Sequence, residues 1–320
     1  MRAGARLHLG FYSFRVDRLG RVYGGMGVAV EEPHLELEAR ECSRRFVSCP
    51  DPLVKEVIEE FLSTLRLDVC IDVKSYIPRH VGLGSTTQTL LATSVAVSTL
   101  LDLDLDLRTV AVAFGRGPVS GVGLGTFMLG GFVVDSGTSL DALRKYPALD
   151  PEDLPKIVAR LDVPQSWRFL IVIPRGRGLS EEEEASVLAE PRELDENTSR
   201  ELLEDVFLGM LPALARGDPI EFGRALTRVQ HIVGTYFSRE QGGVFAKPYG
   251  EAIAKALTEC GSLCVGQSSW GPAMYGLAED ELSGARLREC VENELRRLGI
   301  EARLVLTPPR NKGFEVSISD

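Results

Sequence analysis

Hydrophobic and polar residues follow two patterns along the chain, and each pattern predicts one kind of element. Strict alternation, which is typical of half-buried strands, occurs over residues 5–14, 34–39 and 67–73. Apolar residues at helical spacing predict a helix over 51–66, and a long run of small and aliphatic residues predicts a buried helix over 92–101. Further predicted strands are residues 28–30, 132–135, 168–173 and 302–306, and further predicted helices are 108–114, 198–215 and 219–235.

Glycine-rich segments interrupt these patterns. Residues 20–27 predict a hairpin that approaches a ligand closely, and Pro33 is expected to end the strand that follows it. Residues 115–131 are so dense in glycine that we interpret them as a loop facing a ligand.

The length and composition are those of an ordinary globular protein. The chain has 320 residues, of which 44% are hydrophobic and 26% charged, which is enough for one large domain or two modest ones. The composition shifts near residues 150–155, so we predict one domain over residues 1–160 and a second over 161–320.

The net charge of −10 argues against a nucleic-acid-binding surface, although it leaves room for a local basic pocket that binds a phosphorylated small molecule. No apolar run reaches the length of a membrane span, and the first residues do not resemble a signal peptide. We therefore expect a cytoplasmic protein with small-molecule substrates and no membrane partner.

The cysteines show no paired C-x-x-C spacing, which argues against a metal site built from them. They are either buried thiols or form one or two disulfides. The six residues are Cys42, Cys49, Cys70, Cys260, Cys264 and Cys290.

Three aspartates lie close together at Asp102, Asp104 and Asp106, and on a strand they would share one face. A metal clamp is one interpretation. The more ordinary one is a connector in which Asp106 caps the helix predicted over 108–114.

The strongest candidate for binding chemistry is the segment that precedes the helix at 92–101. Gly82 and Gly84 allow the backbone to curl, and the hydroxyl residues 85–87 follow. Backbone N–H groups and the positive end of a helix dipole would together bind an anion, most often a phosphate. The segment is neither a Walker A loop nor a dinucleotide-binding fingerprint. The alternative is a glycine-rich turn with a Ser or Thr N-cap.

Positive side chains occur where they would meet such an anion. Arg6 and His8 share one face of the first predicted strand, where a bound phosphate or carboxylate would be a suitable partner. Arg175 and Arg177 follow the strand at 168–173. The alternatives are a solvent-facing strand edge for the first pair and a solvated loop for the second.

Three motifs, taken in order, resemble those of the GHMP kinase superfamily. Gly82-Leu83-Gly84-Ser85-Thr86-Thr87 with Pro78 resembles its phosphate loop, and Ser268-Ser269-Trp270-Gly271-Pro272 resembles its third motif. Residues 5–10 occupy the place of its first motif. The resemblance implies an α+β, GHMP-kinase-like two-domain fold: an N-terminal sheet-plus-helices domain, a ferredoxin-like C-terminal domain, and a ligand cleft between them.

One departure from the kinases bears on the reaction. Many of these kinases have an aspartate that assists phosphoryl transfer, and counting back from Gly130-Gly131 places Val122 at that position. Valine cannot accept a proton or orient an attacking hydroxyl group.

The pattern resembles instead a non-kinase branch, the β-ribofuranosylaminobenzene 5′-phosphate synthases of archaeal methanopterin biosynthesis. The resemblance implies a decarboxylating glycosyltransferase that condenses 5-phosphoribosyl 1-diphosphate with 4-aminobenzoate or 4-hydroxybenzoate, releasing CO₂ and diphosphate. The matching residues are 6–10, Gly20-Arg21, 24–27, 115–117, 120–123, Gln230-His231, 241–243 and Arg310-Asn311-x-Gly313.

The resemblance also implies roles for particular residues. The leaving diphosphate would lie on the loop formed by Gly82, Leu83, Gly84, Ser85 and Thr86, with Mg²⁺ as cofactor. The sequence identifies no Mg²⁺ ligands. Candidates for binding the 5′-phosphate or the benzoate carboxylate are Arg6, Arg21, Arg116, Arg175, Ser268, Ser269 and Gly271, and the catalytic candidates are His8, Arg21 and Gln230.

Three function classes remain open at this point. The first is the synthase, which we also expect to be a homodimer. The second is a small-molecule kinase using ATP, in which Asp135 is the nearest carboxylate able to replace the missing base. The third is a non-catalytic protein that binds a phosphorylated metabolite on the same scaffold.

Overall fold

A computed structural model describes residues 1–14, 20–176, 178, 181–189 and 191–318. The first half of the chain forms a sheet in the order β3-β4-β2-β5-β7, and β1 and β6 also pair with β2. All of its pairings are antiparallel except that of β3 with β4. The strands are β1 (Arg2–Ser13), β2 (Arg21–Glu41), β3 (Phe46–Ser48), β4 (Val69–Ser75), β5 (Phe132–Asp135), β6 (Thr138–Ser139) and β7 (Ile157–Leu161).

Helices pack against this sheet, and two of them have an aspartate as their N-cap residue. Asp51 accepts a hydrogen bond from the N–H of Val54, and Asp106 accepts one from the N–H of Thr109, so the predicted Asp106 cap is confirmed. The helices are α1 (Pro52–Thr64), α2 (Ser85–Leu101), α3 (Leu107–Ala113), α4 (Val122–Leu129) and α5 (Leu140–Lys145).

Two expectations about this half were wrong. Pro33 does not end a strand, because β2 continues through it. The register between β1 and β2 shifts there, from Gly4 opposite His34 to Ala5 opposite Val30, and a proline is tolerated in such a bulge. The glycine-rich residues 115–131 are not one loop, since they contain α4.

The second half forms an antiparallel sheet in the order β11-β8-β10-β9, the strand order of a ferredoxin-like domain. Its strands are β8 (Arg168–Pro174), β9 (Val265–Gln267), β10 (Met274–Ala278) and β11 (Ala302–Thr307). The helices are α6 (Glu181–Ala189), α7 (Glu196–Glu204), α8 (Leu211–Arg216), α9 (Pro219–Tyr236), α10 (Ser238–Gln241), α11 (Gly250–Glu259) and α12 (Glu281–Arg297). A π-helical turn, Asp205–Met210, joins α7 to α8. Among the described residues, no helix is long and apolar enough to cross a membrane.

The chain then returns to the first sheet. Pro309 pairs with Val30, and Glu315 pairs with Arg2. Between them the Arg310 side chain is only 2% exposed and lies 2.7 Å from the carboxylates of both Glu31 and Glu315. Asn311 exchanges two hydrogen bonds of 2.8 Å with the backbone of Val163. The family-matching residues 310–313 therefore hold the tail in place.

Two disulfides are present among the described cysteines, Cys42–Cys70 and Cys260–Cys290, while Cys49 and Cys264 are thiols. The structure thus selects the disulfide alternative.

Replacing both Cys260 and Cys290 by alanine should lower the free energy of unfolding by about 3–4 kcal/mol, because the bond closes a long loop. Denaturant unfolding of this variant beside Cys49→Ala would measure the effect; equal stability of the two would show that the bond does not form.

Candidate active site

A cavity of about 520 Å³ lies where the glycine-rich segments of the two halves meet. Its wall includes the start of α2, the middle of β1 and the loop before α4 from the first half, and α6, α9 and the β9–β10 turn from the second. The predicted cleft between the two halves is therefore confirmed. Sequence-predicted residues that line it are Arg6, His8, Gly82, Leu83, Gly84, Ser85, Thr86, Arg116, Gln230, Ser269 and Gly271.

The start of α2 lines this cavity. Gly84 is the N-cap residue with a left-handed φ of 78°, and it makes no side-chain cap bond. The first intrahelical bond runs from Gln88 N–H to the Gly84 carbonyl, so the N–H groups of residues 85–87 have no partner within the helix. The Ser85 hydroxyl group donates to the Ile77 carbonyl. The alternative of a Ser or Thr N-cap is thus wrong.

The β9–β10 turn packs directly onto this loop. A Cβ on Gly82 would overlap the Ser268 carbonyl oxygen, and one on Gly271 would overlap the Val81 carbonyl group, so neither position admits a larger residue. Ser268 is fully buried; its hydroxyl group donates to the Gly82 carbonyl at 2.6 Å and accepts from the N–H of His8 at 3.0 Å. Through these hydrogen bonds Ser268 connects the third motif to the phosphate-loop motif and to the first motif. Ser269 and Gly271 instead line the cavity.

Arg6 brings a positive charge beside the loop. Its guanidinium group donates to the Gly82 carbonyl, while its Nε is buried without a hydrogen-bond partner. Burial lowers the pKa of Arg6 to about 10, and the charge of Glu184 opposes that shift. Arg6 thus stays protonated at neutral pH.

His8 lines the cavity in its neutral form. Its Nδ1 accepts from the N–H of Gly10 at 3.2 Å, so its Nε2 carries the proton and donates to the Ser120 hydroxyl oxygen at 3.1 Å. Burial and then the charge of Arg6 lower the pKa of His8 to about 3. Both ring nitrogens of His8 therefore have partners within the protein.

Gln230 also has its amide group engaged. Its Nε2 donates to the Leu9 carbonyl at 2.9 Å, and its Oε1 accepts from the N–H of Gln267 at 2.8 Å. Gln267 in turn donates to Gln241 and to the Ser269 carbonyl. This glutamine network connects α9 and the β9–β10 turn to β1, so it shapes the cavity wall.

Three predicted arginines differ in position. Arg116 lines the cavity. Arg21 instead donates to Ser136 and Gly137 on the surface, and Arg175 is 84% exposed and paired with Glu301 at 2.8 Å. The geometry therefore gives no support to an anion contact by Arg21 or Arg175, because neither side chain lies along the cavity. Arg177 lies outside the described residues.

One wall of the cavity is apolar and aromatic, which the sequence alone did not indicate. The Phe237 and Trp270 rings meet edge to face with centroids 4.8 Å apart, and Phe11 lies 6.4 Å from Phe237. Leu188 and Val233 complete this wall. A flat aromatic ligand suits such a surface, since ring edges and faces pack favourably.

Sequence reasoning also missed the importance of Ser120 and Glu184, which both line the cavity. Ser120 lies within the family-matching residues 120–123, but its contacts with His8 and Asp135 join residues that are not neighbours in the chain. Asp135 itself is fully buried beside Val122, behind the cavity wall.

Known proteins share both the sequence and the fold of this chain. The GHMP kinases N terminal domain matches residues 52–131, and the GHMP kinases C terminal domain matches residues 210–297. The β-ribofuranosylphenol 5′-phosphate synthase of Archaeoglobus fulgidus is 33% identical, over 99% of this chain and 99% of that protein. The chain belongs to the β-ribofuranosylphenol 5′-phosphate synthase family. The synthase of Methanothermobacter thermautotrophicus is 29% identical, over 97% of this chain and 95% of that protein.

Solved structures confirm the fold predicted for this synthase family member. Homoserine kinase from Cytophaga hutchinsonii matches with a TM-score of 0.65 at 18% identity, over 98% of this chain and 96% of that chain. Mevalonate kinase from Methanococcus jannaschii matches with a TM-score of 0.65 at 14% identity, over 97% of this chain and 98% of that chain. The predicted α+β GHMP-kinase-like fold and the predicted non-kinase branch are both confirmed.

Proposed function

We propose that this protein condenses 5-phosphoribosyl 1-diphosphate with 4-hydroxybenzoate to give β-ribofuranosylphenol 5′-phosphate, CO₂ and diphosphate. The full-length similarity to synthases named for the phenol product is the observation that carries the proposal. That name favours 4-hydroxybenzoate over 4-aminobenzoate as the acceptor, because the substituent opposite the new bond remains in the product.

The start of α2 is proposed to bind the diphosphate. Residues 84–87 at the start of α2 and Arg6 line the same cavity, and a Cβ on Gly84 would lie 2.9 Å from Arg6 Cγ, so the two are neighbours. Anions bind well at helix N-termini, and a guanidinium group forms strong hydrogen bonds with phosphate oxygens. Arg116, elsewhere on the same wall, is the candidate for the 5′-phosphate.

The aromatic wall is proposed to hold the benzoate ring. Phe11, Phe237 and Trp270 would fix its plane so that the ring carbon bearing the carboxylate faces the anomeric carbon of the sugar. That carbon attacks as the bond to diphosphate breaks, forming a C–C bond. Loss of CO₂ then returns its bonding electrons to the ring and restores aromaticity, while the hydroxyl group is unchanged.

Mg²⁺ is proposed as the cofactor, and the residues present fit a shared site. Among the described residues, Glu184 is the acidic residue that lines the cavity, and no cluster of three metal-binding side chains occurs. Glu184 and the hydroxyl groups of Thr86 and Thr87 are oxygen donors, and substrate phosphates commonly complete a Mg²⁺ site. Bound Mg²⁺ would neutralise charge on the leaving diphosphate.

The kinase alternative receives no support from the site. Val122 is fully buried, and the carboxylate of Asp135 accepts hydrogen bonds from three backbone N–H groups and the Ser120 hydroxyl group. Asp135 therefore does not face an attacking alcohol in the cavity. A kinase would lack the general-base help that is typically worth about 10²–10⁴-fold in rate.

The proposal predicts labelled CO₂ release from carboxyl-labelled 4-hydroxybenzoate only when phosphoribosyl diphosphate and Mg²⁺ are both present. The value of kcat/KM should be higher with 4-hydroxybenzoate than with 4-aminobenzoate. ATP should transfer no phosphoryl group to homoserine or mevalonate. Phosphorylation of either alcohol, with no labelled CO₂ under any condition, would restore the kinase.

A further inference from the structure

Asp135 is a buried carboxylate to which the proposed reaction assigns no role. Its side chain is 0% exposed, and its four hydrogen-bond donors are all uncharged. Oδ1 accepts from the N–H groups of Gly25 at 2.7 Å and Gly137 at 2.9 Å. Oδ2 accepts from the N–H of Gly121 at 2.7 Å and from the Ser120 hydroxyl group at 3.1 Å. These bonds fix the carboxylate without neutralising its charge.

A chain of hydrogen bonds connects this charge to the cavity. The proton on His8 Nε2 points at Ser120 Oγ, and the Ser120 proton points at Asp135 Oδ2. His8 and Ser120 both line the cavity. All the dipoles in this chain point their positive ends towards Asp135, so each bond polarises the next.

The glycines of β2 make this arrangement possible. A Cβ on Gly25 would overlap Ser120 Oγ and lie 2.7 Å from Asp135 Oδ2. The glycine-rich segment that was predicted to approach a ligand therefore approaches Ser120 and Asp135.

A negative charge is unexpected behind the wall of a site for anionic substrates. Phosphoribosyl diphosphate and a benzoate both carry negative charge, and the charge on Asp135 opposes their binding. As diphosphate leaves, however, the sugar develops positive charge, which a fixed negative charge stabilises.

We propose that Asp135, acting through Ser120 and His8, is a positioning residue whose charge favours the cationic sugar of the transition state over the anionic substrates. This inference rests on the proposed function. Asp135 would thus favour sugar transfer, and it would not act as the general base of a kinase.

The surroundings of Asp135 set its pH dependence. Burial raises the pKa of Asp135 to about 6, because the backbone hydrogen bonds only partly offset the desolvation of the carboxylate. The titratable groups nearest to it are Tyr12, whose hydroxyl group donates to the Asp135 carbonyl, and the neutral His8. The Arg21 guanidinium group donates to the neighbouring Ser136, whereas Lys156 contacts Ser136 through its backbone N–H and pairs its ammonium group with Glu152. Asp135 is therefore charged above about pH 6 and neutral below it.

Asp135→Asn removes the charge and nearly keeps the shape, although its amide nitrogen cannot accept the two hydrogen bonds of the oxygen that it replaces. We expect kcat to fall by about 10–100-fold, because a preorganised charge is lost from the transition state. The Kd of phosphoribosyl diphosphate, measured by calorimetry, should decrease or stay equal, since a repulsive charge is gone. A purely structural Asp135 predicts the opposite for binding, because a disturbed wall weakens both binding and turnover.

The pH profile gives a second readout. In the wild-type protein, kcat should decline as the pH falls through about 6, because Asp135 becomes protonated. This decline should be partly absent in Asp135→Asn. Any decline that remains in the variant comes from protonation of the substrate phosphates. Ser120→Ala leaves the three backbone hydrogen bonds to Asp135 in place. This variant should lower kcat less than Asp135→Asn does, and its kcat should still decline at low pH.

Asp195→Asn is the matched control, because Asp195 also accepts from backbone N–H groups and a hydroxyl group but lies at the start of α7, away from the cavity. It should keep wild-type kcat. The inference is overturned if Asp135→Asn weakens phosphoribosyl diphosphate binding. It is also overturned if this variant keeps both the wild-type kcat and the wild-type decline of kcat at low pH. Absence of product with the wild-type protein would instead overturn the proposed function.

Discussion

Replacing Arg6 by methionine should lower kcat/KM for phosphoribosyl diphosphate by about 10²–10³-fold. Methionine fills a similar volume but has no charge and no donors. In the native protein the Arg6 Nε is buried without a partner, and burial lowers the pKa to about 10 because the cation is poorly solvated. An anion that meets this group gains a strong, charge-assisted hydrogen bond. Steady-state kinetics with varied phosphoribosyl diphosphate would measure the loss.

Arg297→Met is the matched control for Arg6→Met. Arg297 is 68% exposed at the end of α12 and pairs with Glu294, away from the cavity. Its replacement should leave kcat/KM unchanged, because an exposed ion pair contributes little to stability. Unchanged kinetics in both variants would show that Arg6 does not bind the substrate.

Replacing Gly84 by valine should abolish measurable synthase activity. The Cβ of the new side chain would lie 2.9 Å from Arg6 Cγ, and Gly84 holds a left-handed φ of 78° that a β-branched residue adopts only with strain. Arg6 and the first N–H groups of α2 would both shift, and a misplacement of about 1 Å can cost 10²-fold in rate. Product formation and the Kd of phosphoribosyl diphosphate would be measured together.

Gly261→Val separates strain from obstruction. Gly261 has a φ of 81°, close to that of Gly84, but a Cβ there would meet no atom within 4 Å. Gly84→Val should lose at least as much stability as Gly261→Val in thermal unfolding, because it adds a clash to the strain, whereas only Gly84→Val should lose activity. A Gly84→Val protein with normal affinity for phosphoribosyl diphosphate would show that the loop is only structural.

Patterns that depend on neighbouring residues were predicted well from the sequence. The loop at Gly82 and Gly84 was recognised because glycines and hydroxyl residues precede a helix in a short, continuous stretch. The Asp106 cap was likewise predicted, because capping involves residues three positions apart. The prediction of a loop over residues 115–131 was wrong for residues 122–129, which form α4, because a buried helix can use glycine for close packing.

Contacts between distant residues could not be predicted in the same way. All the arginine candidates have similar chemistry, yet Arg6 and Arg116 line the cavity while Arg21 and Arg175 do not. Nothing in the residues next to Arg175 indicates Glu301 as its partner. Asp135 illustrates the same limit, since its donors come from β2, from the loop before α4 and from Gly137.

The return of residues 309–315 to the first sheet has a consequence for how the protein is made. Residues 2–161 supply all the strands of that sheet and emerge from the ribosome first. Their pairing with Pro309 and Glu315 must wait until nearly the whole chain has been translated. Such distant contacts form slowly, and a nascent sheet with unpaired backbone groups is prone to associate with other chains. A chain terminated before residue 309 would lack the buried Arg310 ion pairs that complete the N-terminal half.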